Sequence, residues 1–278
     1  MTTEEHTITV SPALRPWISG ISVATVGAHD REQTVIDAPD HATTLALRVV
    51  PGRGSDLVVM GPRTRALYHL GTPGPFCVMA RIQTGRAGSL LGWPMRELAD
   101  RIVPLSAIWG EPGQRLAHAL ADASSDPAAI ASSDPAAING KRLAGPLEEA
   151  LLGRLPGRRP SGLPRADLIC QAATLLSTGA GSAAEQVQTT ARLLSLSERH
   201  LRDLFADAVG VTPKLFARLD RVRAVLDRPR QHWAQLAAEA GYYDQSHMTG
   251  EFRQIMGVPP GAYSAGQYPT PSPCHQAP

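Results

Sequence analysis

Two stretches of the chain repeat each other at a spacing of 47 residues, and this repeat limits the fold more than any other feature. Phe205, Gly210, Val211, Pro213 and Phe216 are matched by Phe252, Gly257, Val258, Pro260 and Tyr263. Both stretches read Phe-x4-Gly-Val-x-Pro-x2-aromatic. Leu201 and Met248 fall in the same register, as do Ala191 and Ala238. A match of this length implies two copies of one supersecondary unit.

Each copy reads as two short helices around a tight turn. In the first, Val187, Ala191 and Leu194 form an apolar face, a turn follows at Ser195-Leu196, and Ser197 is placed to N-cap a second helix. That helix carries Leu201, Leu204, Phe205 and Ala208 on one face, and Gly210 ends it. In the second copy Trp233, Leu236, Ala237 and Ala240 give the first face, Gly241 the turn, and Met248, Phe252 and Ile255 the second face before Gly257. The small residues Ala191 and Ala237 let paired helices cross closely, the pattern of a helix-turn-helix. The polar N-terminal side chains of each second helix are then free to enter a DNA major groove. Thr212 and Pro213 open a joining helix to Leu226, with Leu215, Phe216, Leu219, Val222 and Leu226 on one face. Such a helix would set the two units about one DNA turn, roughly 34 Å, apart.

The rest of the 278 residues suggest a second domain. Residues 1–115 contain short β-prone runs at 43–50, 57–60, 66–70 and 76–82, each closed by Gly or Pro, as in a small barrel or sandwich. A helical piece is expected at Pro94–Ile102. Residues 116–183 read as a helical connector. Within it, Ala-Ser-Ser-Asp-Pro-Ala-Ala-Ile occurs twice in tandem at 123–138, a duplication expected in a surface loop. Pro156 to Pro164 reads as an exposed linker. The Pro-rich tail, 266–278, is expected to be disordered.

The net charge is only +2, from 27 basic and 25 acidic residues, which excludes a polycation and weighs against nucleic acid as a partner. The bias of 25 Arg to two Lys, Lys141 and Lys214, reflects coding composition more than function. Cys77, Cys170 and Cys274 form no Cys-x-x-Cys pair, as expected of reduced thiols in the cytoplasm. No apolar leader and no run of about 18 apolar residues occurs, so neither a signal peptide nor a membrane span is expected.

The stretch from about Ala184 to Ala265 resembles the C-terminal domain of AraC/XylS-type transcriptional regulators. The resemblance rests on Leu196-Ser197-x-Arg199-His200-Leu201, Leu204-Phe205 and Gly210-Val211-x-Pro213. It continues through Leu236-Ala237, Gly241, Asp244-Gln245-Ser246-His247, Phe252-Arg253 and Gly257-Val258-x-Pro260. Leu90-Leu91-Gly92 through Ile108-Trp109-Gly110 is similar to the sensor region of some such regulators. The resemblance implies an α+β chain in four parts. These are an N-terminal β-barrel of cupin-like type (1–115) for sensing or dimerisation, a helical connector (116–183), an all-α domain of two helix-turn-helix units (184–265) and a tail. It implies a non-enzymatic, ligand-responsive bacterial regulator that acts in the cytoplasm. Its partners would be an operator in double-stranded DNA, a small-molecule effector, RNA polymerase and a second copy of the chain.

The candidate DNA-binding residues are Ser197, Glu198, Arg199 and Arg202 in the first unit, and Gln245, Ser246, His247, Thr249 and Arg253 in the second. An Arg fork suits guanine, Gln suits adenine, and Ser or Thr reaches phosphate or a base edge. Two positions depart from the family, which usually has Arg two residues before the anchoring Phe. Here they are Asp203 and Gly250, and Ser264 stands where Arg often follows Tyr263. Residues 184–268 hold ten basic and nine acidic residues. These departures motivate an alternative, a small-molecule-binding protein with weakened or partner-dependent DNA binding. Gly179-x-Gly181-x-x-Ala184 fits a dinucleotide fingerprint but follows a helix, not a strand. His41 and His69 lie in the β domain without a His-x-His pair, and no Gly-x-Ser-x-Gly elbow is present. No catalytic residue, metal or cofactor is therefore expected.

Overall fold

The computed structural model describes residues 4–25, 34–50, 54–70, 76–124, 135–154, 164–179, 181–228 and 232–272. Its strands are β1 (Glu4–Ile8), β2 (Ile18–Thr25), β3 (Thr34–Asp37), β4 (Thr44–Val50), β5 (Gly54–Met60), β6 (Leu67–Leu70), β7 (Phe76–Ile82) and β8 (Ile102–Pro104). Six of them form one antiparallel sheet in the order β1-β2-β7-β4-β5-β8, and β3 pairs with β6 in a separate ribbon. The N-terminal domain is thus β-rich, built of open sheets.

Alternation along the strands sorts side chains between the two faces of the large sheet. Ile21, Val23, Leu45, Leu47, Leu57, Val59, Val78 and Ala80 are buried against helices. Those helices are α1 (Ala87–Leu91), α2 (Leu105–Trp109), α3 (Glu111–Ser124) and α4 (Pro135–Arg154). Ser22, Thr44, Met60, Met79 and Arg81 instead line a cavity with Asp37, Asp40 and Arg63 from β3 and the adjoining loops. Only the single 3-10 turn Met95–Glu97 forms where a helical piece was expected at 94–102. Asp100 breaks it: it takes a positive φ of 57°, and its carboxylate accepts both the Thr64 amide and hydroxyl at 2.6 Å.

The C-terminal domain is helical: α5 (Pro164–Thr178), α6 (Ala183–Leu193), α7 (Glu198–Val209), α8 (Pro213–Leu226), α9 (Trp233–Glu239), α10 (Gln245–Met256) and α11 (Pro260–Ser264). The stretch read as a connector divides between the two domains. Leu116, Leu120, Leu147 and Leu151 of α3 and α4 join the sheet's core. Ile169, Ala172, Ala173 and Leu176 of α5 join the core of the first helix-turn-helix unit. Most of the octapeptide duplication (125–134) and most of the linker (156–163) lie outside the described residues, while residues 135–138 begin α4.

The two domains are docked along a continuous line. Arg86 pairs with Asp167 of α5, and the Cys170 thiol donates to the Thr84 carbonyl at 3.0 Å. His41 lies 3.4 Å from Asp220 of α8, with its ring centroid 4.0 Å from that of Phe216. Ala66 donates to the Ile255 carbonyl at 2.9 Å, and the Tyr68 hydroxyl donates to that of Met256 at 2.6 Å. The stretch read as a tail returns to the ribbon. Tyr268 stacks on Tyr68, and the Ser272 amide donates to the Tyr68 carbonyl at 2.9 Å. Residues 273–278 lie outside the described residues.

Candidate nucleic-acid interface

Caps and turns place the two exposed helices. Ser182 and Glu185 form a reciprocal capping box that starts α6. Ser197 accepts from the His200 amide at 3.1 Å and starts α7, and Thr212 accepts from the Leu215 amide at 3.3 Å and starts α8. Asp244 accepts from the His247 amide at 2.7 Å and starts α10. Gly210 ends α7 at φ 92°, a conformation that favours glycine. A Cβ there would also lie 2.6 Å from the Met95 carbonyl, so the N-terminal domain presses directly on the end of α7.

The joining helix α8 belongs to both units. Phe216 and Ala217 pack with Leu201, Phe205 and Val209 of the first, and Leu219, Val222 and Val225 pack with Leu236, Met248 and Phe252 of the second. A buried ionic cluster adds to this seam. Glu251 of α10 takes Arg221 of α8 bidentately, with contacts at 2.8 and 2.9 Å, and Arg218 at 2.9 Å. Arg221 lies over the Tyr242 ring, 4.8 Å from its centroid. Burial pushes the Tyr242 phenol above its ordinary range, and the Glu251 charge adds to the rise. Sequence reading missed Arg218, Arg221 and Glu251, because a charged pair inside a helical pattern looks like a solvated face.

The units are alike but not identical. The Leu196 amide donates to the Ala191 carbonyl at 2.8 Å, and its counterpart is Tyr242 to Ala237 at 2.9 Å, a spacing of 46 residues. The positive-φ residues Ser195 and Gly241 keep that spacing. The N-caps Ser197 and Asp244 are 47 apart. The first helices are therefore offset by one residue from the second, and Ala191 pairs structurally with buried Ala237, while Ala238 is exposed. The extra residue of the second turn is Tyr243.

Among the sequence candidates, Ser197, Glu198, Arg199 and Arg202 are all exposed at the start of α7. Gln245, Ser246, His247 and Arg253 are exposed on α10, with Thr249 partly covered. The His247 ring also meets Tyr242 edge-on at 5.4 Å. Asp203 lies among the first group, with its carboxylate 3.4 Å from Arg202 Nε and 4.0 Å from Arg199 Nε. From the N-terminal domain, Arg96 donates to the Asp203 carbonyl at 3.3 Å and to the Asp207 carboxylate at 2.7 Å. Gly250 leaves the middle of α10 without a side chain, beside Lys214 and Arg218 across the groove between the units.

Residues 190–266 match the family model of a helix-turn-helix domain. This segment is an AraC-type helix-turn-helix domain. The AraC-type domain spans both units described above, from the end of α6 to just past α11. Among solved structures, the chain is similar to an apo variant of ToxT from Vibrio cholerae strain SCE256. The identity is 12%, covering 88% of this chain and 96% of that one, with a TM-score of 0.40. It is also similar to unsaturated fatty acid bound wild-type ToxT from the same strain, at 11% identity over 87% and 93%, with a TM-score of 0.39. No curated protein matches the chain. Among the described residues, no helix is long and apolar enough to cross a membrane.

Proposed function

We propose that the chain is a sequence-specific DNA-binding transcriptional regulator that responds to a small molecule. One observation carries this reading: two N-capped helices, α7 and α10, present polar side chains outward while α8 lies in the cores of both units. That construction holds two recognition helices in fixed relation, which two successive stretches of major groove require. Arg199 and Arg202 read bases from α7, and Gln245, Ser246, His247, Thr249 and Arg253 read bases or phosphates from α10, with Ser197 and Glu198 at the edge of the first contact. The effector enters the cavity lined by Ser22, Thr44, Met60, Met79 and Arg81, next to Asp40 at the domain junction. The protein acts in the cytoplasm on RNA polymerase, as a homodimer, and without catalysis of its own.

Selection of bound duplexes from a random pool, followed by footprinting on the chain's own upstream region, tests this reading. Enrichment of a two-part site is the expected result. Folded protein that shows no sequence preference at low salt would sink it.

The contacts of Asp203 favour a second reading. With its carboxylate against Arg199 and Arg202, the first unit has fewer free cations, so DNA binding would be weak until a partner supplies more contact. Native protein that binds its selected site tightly on its own eliminates this reading.

A further inference from the structure

Large apolar side chains are exposed at four places among the described residues: Leu70, Leu152, Leu193 and Tyr243. Of the two most exposed, Leu193 at 63% ends α6 and Tyr243 at 92% lies in the turn before α10. Tyr243 stands out for a second reason. It is the one residue by which the second turn is longer than the first, set between buried Tyr242 and the N-cap Asp244. Tyr242 anchors the turn from inside and Tyr243 points out at the end of α10 that carries Gln245, Ser246 and His247. Its hydroxyl makes no hydrogen bond among the described residues.

The charges nearby explain what it can add. Asp203 engages two arginines of the first unit, and Gly250 offers no side chain in the second. Ionic attraction to phosphate is therefore thin at both recognition helices. An aromatic ring can supply affinity another way, by packing on deoxyribose and on thymine methyl groups.

We propose that Tyr243 is a DNA-contacting residue that packs its ring on the apolar wall of the groove bound by α10, a contact with no equivalent in the first unit. The proposal rests on the DNA-binding reading above. Such a contact releases no counterions, so it strengthens binding equally at all salt concentrations.

The test uses the full chain and a duplex that the wild type selects from a random pool. Binding of wild type, Tyr243→Ala, Tyr243→Phe and Tyr243→Lys is measured across a salt series, with circular dichroism and Tm as fold controls. Tyr243→Ala should weaken binding about tenfold with an unchanged slope of log K against log salt, a loss in keeping with the burial of one ring edge. Tyr243→Phe should stay within about twofold, since the ring makes the contact. Tyr243→Lys should steepen the slope by about 0.9, as one added phosphate contact would. Unchanged binding by Tyr243→Ala overturns the proposal, as does a loss in Tyr243→Phe as large as in Tyr243→Ala. If the wild type selects no sequence at all, the DNA-binding reading itself falls. If it selects one and Tyr243→Ala binds it equally well, only the present inference falls.

Discussion

The carboxylate of Asp40 joins the β-rich domain to the joining helix: it lies 2.7 Å from Arg223 of α8 while also pairing with Arg81 of β7. Burial raises the Asp40 pKa, but the Arg81 hydrogen bond and the charges of Arg81 and Arg223 outweigh it and hold the carboxyl below its ordinary value. Asp40 also lines the cavity proposed for the effector. Asp40→Asn should therefore cost about 1–3 kcal/mol of stability, the range for a charged hydrogen bond lost. Chemical denaturation followed at both domains would show it, and an unchanged midpoint would mean that the junction is held elsewhere.

Glu251 is almost fully buried and faces two arginines, so it holds α10 to α8 through charge rather than apolar contact. Glu251→Ala strands Arg221 in the interior and should cost about 3–5 kcal/mol. Replacing both partners, Arg221→Met with Glu251→Leu, should recover most of that loss. Urea unfolding of the three proteins tests the pair, and a double variant no more stable than Glu251→Ala would refute this account.

Asp203 is exposed and so are its arginine partners, which makes their contribution to stability small, about 0.2–1 kcal/mol. The effect on DNA should be larger. Asp203→Asn should tighten binding to a selected duplex several-fold, and Asp203→Arg should also steepen the salt slope by about 0.9 per phosphate gained. Gly250→Arg should act in the same direction. Weaker binding by Asp203→Asn would assign the carboxylate to base recognition instead.

Stability should fall at both ends of the pH range. The His69 pKa is raised, first by its hydrogen bond with Asp37, with burial opposing. Its contribution is complete below the unfolded value of about 6.5 and is lost as pH rises through the higher folded value. Asp40 behaves oppositely, since its folded pKa is lowered. Its contribution is present above the unfolded value of about 3.9 and is lost as pH falls through the folded one. Tm profiles of wild type, His69→Gln and Asp40→Asn should separate the two limbs, with each variant flattening only its own.

What could be read from the residues alone was what is local. Ser197 and Thr212 cap helices through amides three residues away, and Gly210 and Gly257 end helices where a left-handed backbone is needed. These signals span one turn of chain and survive without a structure. The one-residue offset between the units was hidden because the repeat is anchored by Phe205 and Phe252 on the second helices, leaving the longer turn at Tyr243 unmarked. The roles of His41 and His69 were also hidden. Weighed only as metal ligands, they instead face Asp220 and Asp37. Pairings such as Asp40 with Arg223 join residues far apart in sequence and leave no period to detect.

The pairing of Ser272 with Tyr68 adds a terminal attachment between the helical and β-rich domains to those made by Asp167 in the first turn of α5 and by Asp220, Arg223, Ile255 and Met256. A body fastened at both ends cannot swing like a pendant on a flexible linker. To turn its two recognition helices, it must release several fastenings. The terminal one consists of backbone hydrogen bonds to Tyr68 and the stacking of half-buried Tyr268 on buried Tyr68, and the one at α5 includes a buried arginine. Residues 268–272 are thus one of the ties that any change of shape has to break, and they help set its threshold.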